Sequence, residues 1–298
     1  MMTWIKRGAL ALAVLLLAAA AAVFAGLQLA DRRLARHVDV RVTPVALRID
    51  AAAVERGRYL YASRGCVDCH GANGAGHVFV DDGHSLRIKG PNITSGPGGV
   101  VAGYRPEDWV RTVRHGVAPG GRPIMIMPSE DYNRLTDDDL AAIVAYVRSL
   151  PPAAGTGAEV RLPLPARVLY GFGAIEDAAA KIDHTLPPAA PVAEGVTLQH
   201  GAYVANMCLG CHGPQLTGGR IPGGPPDWPP AKNLTPVAAS GMAPYADVES
   251  FMKMLHTGKR ADGSQIRVMP FNSLRNLSET DMRALHLYLK RLPPRPQG

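Results

Sequence analysis

Aromatic side chains are scarce in this chain, at 6% with five Phe and three Trp, so an aromatic core of the usual kind is not what fills its interior. Cysteine is scarcer still. All four cysteines fall in two Cys-x-x-Cys pairs, and if both pairs are spoken for, none remains for a disulfide framework. No charged residue occurs between Gly8 and Ala30, and beyond the first 50 positions neither sign dominates. Residues 1–50 hold seven Lys/Arg against three Asp/Glu, whereas residues 51–298 hold 25 against 22. The formal charge of +7 is therefore no nucleic-acid footprint, and nucleic acid is not expected as a partner. What is plentiful is Gly, at 32, and Pro, at 26, a composition suited to short helices joined by long irregular loops. With 47% hydrophobic residues in 298, the chain can bury one or two cores.

The paired cysteines stand in Cys66-Val67-Asp68-Cys69-His70 and Cys208-Leu209-Gly210-Cys211-His212. Cys-x-x-Cys-His is the attachment signature of c-type haem: each thiol adds across one vinyl group, and the histidine after the short turn ligates the iron. Zinc modules and thioredoxin-like couples also use Cys-x-x-Cys. Zinc pairs, however, lie within one small module, whereas these are separated by the stretch from Cys69 to Cys208, and neither rival calls for a histidine after both pairs. Two covalently bound haem c groups are implied, on Cys66 and Cys69 and on Cys208 and Cys211, with His70 and His212 as axial ligands. Haem also supplies the apolar mass that the aromatic content does not.

The chain repeats itself. Adding 142 carries Cys66, Cys69 and His70 to Cys208, Cys211 and His212, Gly116 to Gly258, Met127-Pro128 to Met269-Pro270, and Pro151-Pro152 to Pro293-Pro294. Each copy ends in a helix with a capping-box start, Thr136 with Asp139 and Ser278 with Asp281, and a hydrophobic staple, Leu135 with Leu140 and Leu277 with Met282. A helix before each motif is expected at Val54–Ser63 and Leu198–Asn206, and a third at Glu107–Arg114 and Asp247–His256. Residues 153–197 have no counterpart, are rich in Pro, and read as a linker with one short helix near Arg167–Phe172.

An N-terminal helix, Cys-x-x-Cys-His, a long loop, Met-Pro and a C-terminal helix resemble the class I cytochrome c domain, present twice. The resemblance implies an all-α fold with cytochrome c domains at 51–152 and 198–298; around them the sequence sets a membrane anchor or signal segment at 1–30, a juxtamembrane linker at 31–50 and the Pro-rich linker at 153–197. Asn92-Ile93-Thr94, Asn233-Leu234-Thr235 and Met-Pro followed by a capped helix and Pro-Pro resemble, more narrowly, the cytochrome c subunits of membrane-bound alcohol, aldehyde and gluconate dehydrogenases. Those subunits commonly carry three haems; two motifs stand here. In class I cytochromes a Gly-Pro-Asn-Leu-like turn accepts a hydrogen bond from the ligand histidine, which assigns that role to the carbonyls of Pro91 for His70 and Lys232 for His212. Methionine as sixth ligand raises the potential and favours electron transfer over oxygen chemistry. Met127 and Met269 each lie 61 residues beyond the first cysteine of their motif and precede proline, and both are expected to be axial. Met125 is the near competitor, but its counterpart is Arg267, which cannot ligate iron. His77 and His84 read as surface loop residues, and His286 as a satisfied core histidine.

The uncharged run Gly8–Ala30 is about 35 Å long as a helix, enough to cross a bilayer core of about 30 Å, and it is longer than the apolar core of a cleaved signal. A retained anchor in the bacterial cytoplasmic membrane is expected, with the haem-bearing part facing the periplasm, because c-type haem is attached outside that membrane. The expected function is electron transfer from a dehydrogenase or quinol-oxidising partner to an oxidase or soluble cytochrome. A dihaem cytochrome c peroxidase is the enzymatic alternative, but it needs one iron with an open position, and two equivalent Met-Pro segments speak against it.

Overall fold

The computed structural model describes residues 2–225 and 227–298. The uncharged run forms α1 (Met2–Ala35), long and apolar enough to cross a membrane. Residues 3–25 of this helix are exposed on every side; packing begins at Gly26 and includes the buried Ala30.

The first copy is built from α2 (Ala51–Ser63), α3 (Cys66–His70), α4 (Pro106–His115), α5 (Ser129–Tyr132) and α6 (Asp137–Ser149). Its core unites Leu60, Tyr61, Trp109, Val110, Leu140 and Val144. α2 crosses α6 at Gly57, where any Cβ would collide with the Ala142 carbonyl. A linker helix, α7 (Leu164–Gly171), follows. The second copy repeats the plan with α8 (Leu198–Ala205), α9 (Leu209–His212), α10 (Val248–Thr257), α11 (Phe271–Leu274) and α12 (Glu279–Arg291). It has a separate core around Val204, Phe251, Leu255, Met282 and Leu285. α8 crosses α12 at Gly201, against the Ala284 carbonyl. Because the carbonyl belongs to a helix backbone, Gly201→Ala is expected to force the crossing apart and cost about 1–3 kcal/mol, read as a lower denaturant midpoint with the second copy's near-UV dichroism lost first.

Three features depart from a purely helical reading. The loop after the first motif holds an antiparallel hairpin, β1 (Val78–Asp81) with β2 (Arg87–Lys89), to which β3 (Glu159–Arg161) adds as a third strand with Ile88 opposite Val160. Residues 153–197 are therefore not a free tether: β3 joins the first copy's sheet, and the Thr156 carbonyl accepts the Asn92 N–H at 2.9 Å. Residues 31–50 likewise pack, with Val40 and Val45 buried against the first copy.

The caps of α6 and α12 form as expected on one side, with Thr136 Oγ1 accepting from Asp139 N–H and Ser278 Oγ from Asp281 N–H, both at 3.1 Å. The reciprocal half goes elsewhere. Tyr203 Oη accepts the Thr136 N–H at 3.2 Å and donates to Asp139 at 2.7 Å; Tyr59 Oη accepts the Ser278 N–H at 3.0 Å and donates to Asp281 at 2.5 Å. Each copy's tyrosine thus completes the other copy's cap, and the two halves meet across a pseudo-two-fold interface of isologous form. Asp281, 1% exposed, also holds the buried Arg64 guanidinium at 2.5 Å and accepts from His200 Nε2 at 2.7 Å.

Candidate functional site

The two cysteine motifs are entered differently, the second through a 3-10 turn at Asn206–Cys208, but leave by the same turn. A left-handed or tightly turned entry at Gly65 leads into α3, and a Gly follows each histidine, at Gly71 and Gly213, with φ of 73° and 76°. This turn sends the chain back past the histidine, where Gly76 and Gly218 (φ 94° and 74°) lie so close to the Pro91 and Lys232 segments that a Cβ would strike backbone. That approach brings a carbonyl to each imidazole. His70 Nδ1 lies 3.0 Å from the Pro91 oxygen and His212 Nδ1 lies 2.7 Å from the Lys232 oxygen. A carbonyl can only accept, so Nδ1 carries the proton in both rings and Nε2 keeps its lone pair. Burial pushes both imidazoles below their ordinary pKa, outweighing those carbonyl bonds, and keeps them neutral. The exchange of proline for lysine between copies does not touch the carbonyl.

The carbonyls are held by residues that the motif reading did not assign a role. Asn92 and Asn233 are buried next to them. Each amide oxygen accepts the N–H of Thr94 or Thr235, at 2.8 and 2.7 Å, and each Nδ2 donates into the segment after the Pro-Pro pair, to Ala153 at 2.8 Å and Arg295 at 2.7 Å. The signal was present as the repeated Asn-x-Thr, whose asparagine ties the turn to the segment after the Pro-Pro pair in each copy.

Cys66 and Met127 border one core, Cys208 and Met269 the other. Both methionines sit immediately before a helix whose N-cap is the following proline, Pro128 for α5 and Pro270 for α11. Their carbonyls accept from Ser129 N–H at 2.7 Å and Phe271 N–H at 2.9 Å, so the two loops are built alike. Met125 does not join the core among the described residues. Each copy adds an edge-to-face aromatic pair, Tyr104 with Trp109 and Tyr245 with Phe251, centroids 5.1 and 6.2 Å apart. His77 and His84 are exposed. His286 is half-buried, with Nε2 2.9 Å from the Tyr245 carbonyl.

The donor set suits a covalently attached haem and not the rivals. None of the four cysteines is in a disulfide. Burial pushes Cys66 and Cys208 up to about 12 and Cys69 and Cys211 up to about 11, the opposite of the thiolate that a redox couple needs. Among the described residues no three Cys, His, Asp or Glu side chains converge on one metal position, as a zinc site requires. A neutral histidine with its outer nitrogen free, two unionised thiols and a thioether on one apolar core are what haem c takes.

Both attachment helices also border the interface. The Ser273 hydroxyl donates to the Asp68 carboxylate, and the Gly210 N–H donates to Asp131 Oδ1 at 2.7 Å. Asp68 and Gly210 are equivalent positions within the two motifs, as Asp131 and Ser273 are equivalent within α5 and α11. Burial raises both carboxyls, Asp131 to about 8 despite the opposing Gly210 bond.

Residues 52–147 match the family model described as "Cytochrome C oxidase, cbb3-type, subunit III". The chain is similar to the fructose dehydrogenase cytochrome subunit of Gluconobacter japonicus, 28% identical over 83% of this chain and 54% of that protein. It is also similar to the gluconate 2-dehydrogenase cytochrome c subunit of Pantoea cypripedii, 26% identical over 81% and 60%. A third relative is the cytochrome c subunit of the quinone-type alcohol dehydrogenase of Gluconobacter oxydans (strain 621H), 26% identical over 84% and 56%. The chain thus spans between half and two thirds of the length of these relatives.

Proposed function

We propose that this chain, which contains a cytochrome c domain and resembles the cytochrome c subunits of dehydrogenases, is a membrane-anchored dihaem electron carrier. In this reading the domains face the periplasm, and electrons pass from a dehydrogenase to an oxidase or soluble cytochrome. Cys66, Cys69, His70 and Met127 hold one haem, and Cys208, Cys211, His212 and Met269 the other. When bound, haem supplies the one-electron redox change. The protein's own residues hold each imidazole neutral and oriented through Pro91 and Lys232. They keep the two attachment helices at a common interface, and they exclude water with two separate cores. The observation that carries the reading is the duplication of the histidine carbonyl, the Asn-x-Thr turn and the Met-Pro loop on either side of that interface. Two loops built alike suit two electron-transfer sites and give no support to a peroxidase-type opening at one of them.

Residues 251–298 hold nine basic against three acidic residues. Lys259 and Arg260 are exposed on a turn, bridged by Lys259 and Gln265, that leads into the Met269 loop. A basic surface beside an electron-entry point speeds encounter with an acidic partner, and the benefit fades as salt shortens the Debye length to about 10 Å at 0.1 M. Stopped-flow oxidation or reduction of the holoprotein by an acidic redox protein is expected to slow by about tenfold or more at low ionic strength on charge reversal of Lys259 and Arg260. Reversal of the exposed Arg122 in the first copy should have little effect. Equal effects, or rates indifferent to salt, would place docking elsewhere. Failure of the protein to be reduced and reoxidised at all would refute the electron-carrier reading.

A further inference from the structure

We propose that α7 lies in the surface of the bilayer, as a second and interfacial membrane contact beside the anchor; this rests on reading α1 as a retained span. The exposed and uncharged part of α1, residues 8–25, is about 27 Å long, close to the roughly 30 Å of a bilayer core. Packing starts where that length ends, and what packs there is α7. Gly171 lies against the Gly26 carbonyl and Ala30, and Gly26 lies against Val168 and Phe172; neither glycine has room for a Cβ. α7 is thus fixed at the level where α1 leaves the hydrocarbon.

The side of α7 that runs from its α1 contact at Val168 and Phe172 outward to Leu164 and Leu169 is apolar. Leu164, Leu169 and Phe172, at its end, are 53%, 47% and 55% exposed, Pro165 is exposed and Val168 half-buried. At about 100° per residue these five fall within a continuous arc of about 140°. No charged residue interrupts that arc. The opposite side faces protein: Tyr170 is buried and its hydroxyl donates to Asp177 at 2.8 Å. Exposed apolar surface of this kind marks an interaction site. Arg33, over the Tyr170 ring at 5.1 Å, flanks it at headgroup level, where basic groups favour anionic lipid, while the Arg167 charge is offset by Asp31 at 2.9 Å. The arrangement is stiff, because fully buried Asp177 takes Arg36 in two bonds of 2.5 and 2.7 Å. Continuity with the spanning helix selects the lipid surface as occupant, and a lipid-seated α7 would fix how the first copy stands on the membrane.

Spin labels test this in the full-length holoprotein, reconstituted in phosphatidylcholine–phosphatidylglycerol vesicles, since thioether-bound cysteines do not take a thiol label. Labels at Phe172→Cys, Leu169→Cys, Leu16→Cys and the exposed Ala180→Cys are compared by power saturation with oxygen and with a water-soluble nickel chelate. Both α7 labels are expected to be several-fold more accessible to oxygen than to nickel, shallower than Leu16→Cys, with Ala180→Cys in water. If Leu16→Cys is deep while both α7 labels respond to nickel as Ala180→Cys does, α7 faces water and the proposal falls with the anchor intact. If the α7 labels are wet in vesicles and shielded from both reagents only in native membranes, a protein partner covers the face and the proposal is again overturned. A Leu16→Cys label that is wet, or missing from a shortened chain, removes the anchor reading itself.

Discussion

Replacing Met127 by histidine is expected to lower the potential of one haem by roughly a few hundred mV, within the ~0.8 V over which axial ligands set haem potentials. Methionine sulfur favours the reduced iron and a second imidazole the oxidised one, so the direction follows from the donor exchange alone. The other haem should keep its potential, and half of the weak sulfur-to-iron absorption in the near infrared should vanish. Met269→His should do the same to the second haem. Spectropotentiometry of the two variants beside Met125→Leu decides the assignment: if Met125→Leu removes the absorption and Met127→His does not, the ligand lies two residues earlier.

Asp281→Ala should be the most destabilising single change outside the haem sites, by about 3–5 kcal/mol, because it strands the buried Arg64 charge. It also leaves the Tyr59 hydroxyl and His200 Nε2 without their acceptor. Tyr59→Phe removes the donor to that carboxylate and the acceptor of the Ser278 N–H, and should cost about 1–3 kcal/mol. Urea denaturation followed at both Soret and far-UV wavelengths measures each. The pH dependence has a definite sign. Burial raises the Asp281 pKa, but Arg64, Tyr59 and His200 together outweigh it and hold the carboxyl below its ordinary value. A carboxylate depressed in the folded state adds stability above its unfolded pKa, near 3.9, and loses it as pH falls through the folded one. Asp281→Ala should therefore narrow its deficit relative to the parent protein below about pH 4.

The attachment sites were legible because their chemistry is contiguous: two thiols, a histidine and a Met-Pro announce themselves without knowledge of the fold. The helix starts at Thr136 and Ser278 were legible because an N-cap bond spans three residues. The interface was not. Tyr59 and Tyr203 are related by 144 positions, whereas the motifs are related by 142, because the second copy is two residues shorter between its first helix and its cysteine. The tyrosines therefore drop out of a comparison at fixed offset, and nothing local in Asp139 or Asp281 shows that its carboxylate also takes the other copy's tyrosine. The hairpin at 78–89 was hidden for another reason. Its first strand alternates only between half-buried and exposed and its second is half-buried throughout, and its third strand comes from a segment 70 residues later that looks like a linker until it pairs. Packing at Gly57 and Gly201 was equally silent, since a helical glycine shows its purpose only when the carbonyl opposite is known.

Both halves of this chain are proposed to carry covalently bound haem. Intact-mass spectrometry of the purified protein after denaturation tests it most directly, because haem held only by axial ligands is lost and haem held by thioethers is not. The expected mass is that of the chain plus two haems, falling to one in a Cys66→Ala, Cys69→Ala variant and to the other one in a Cys208→Ala, Cys211→Ala variant. A single addition in the unaltered protein, or none, would contradict it.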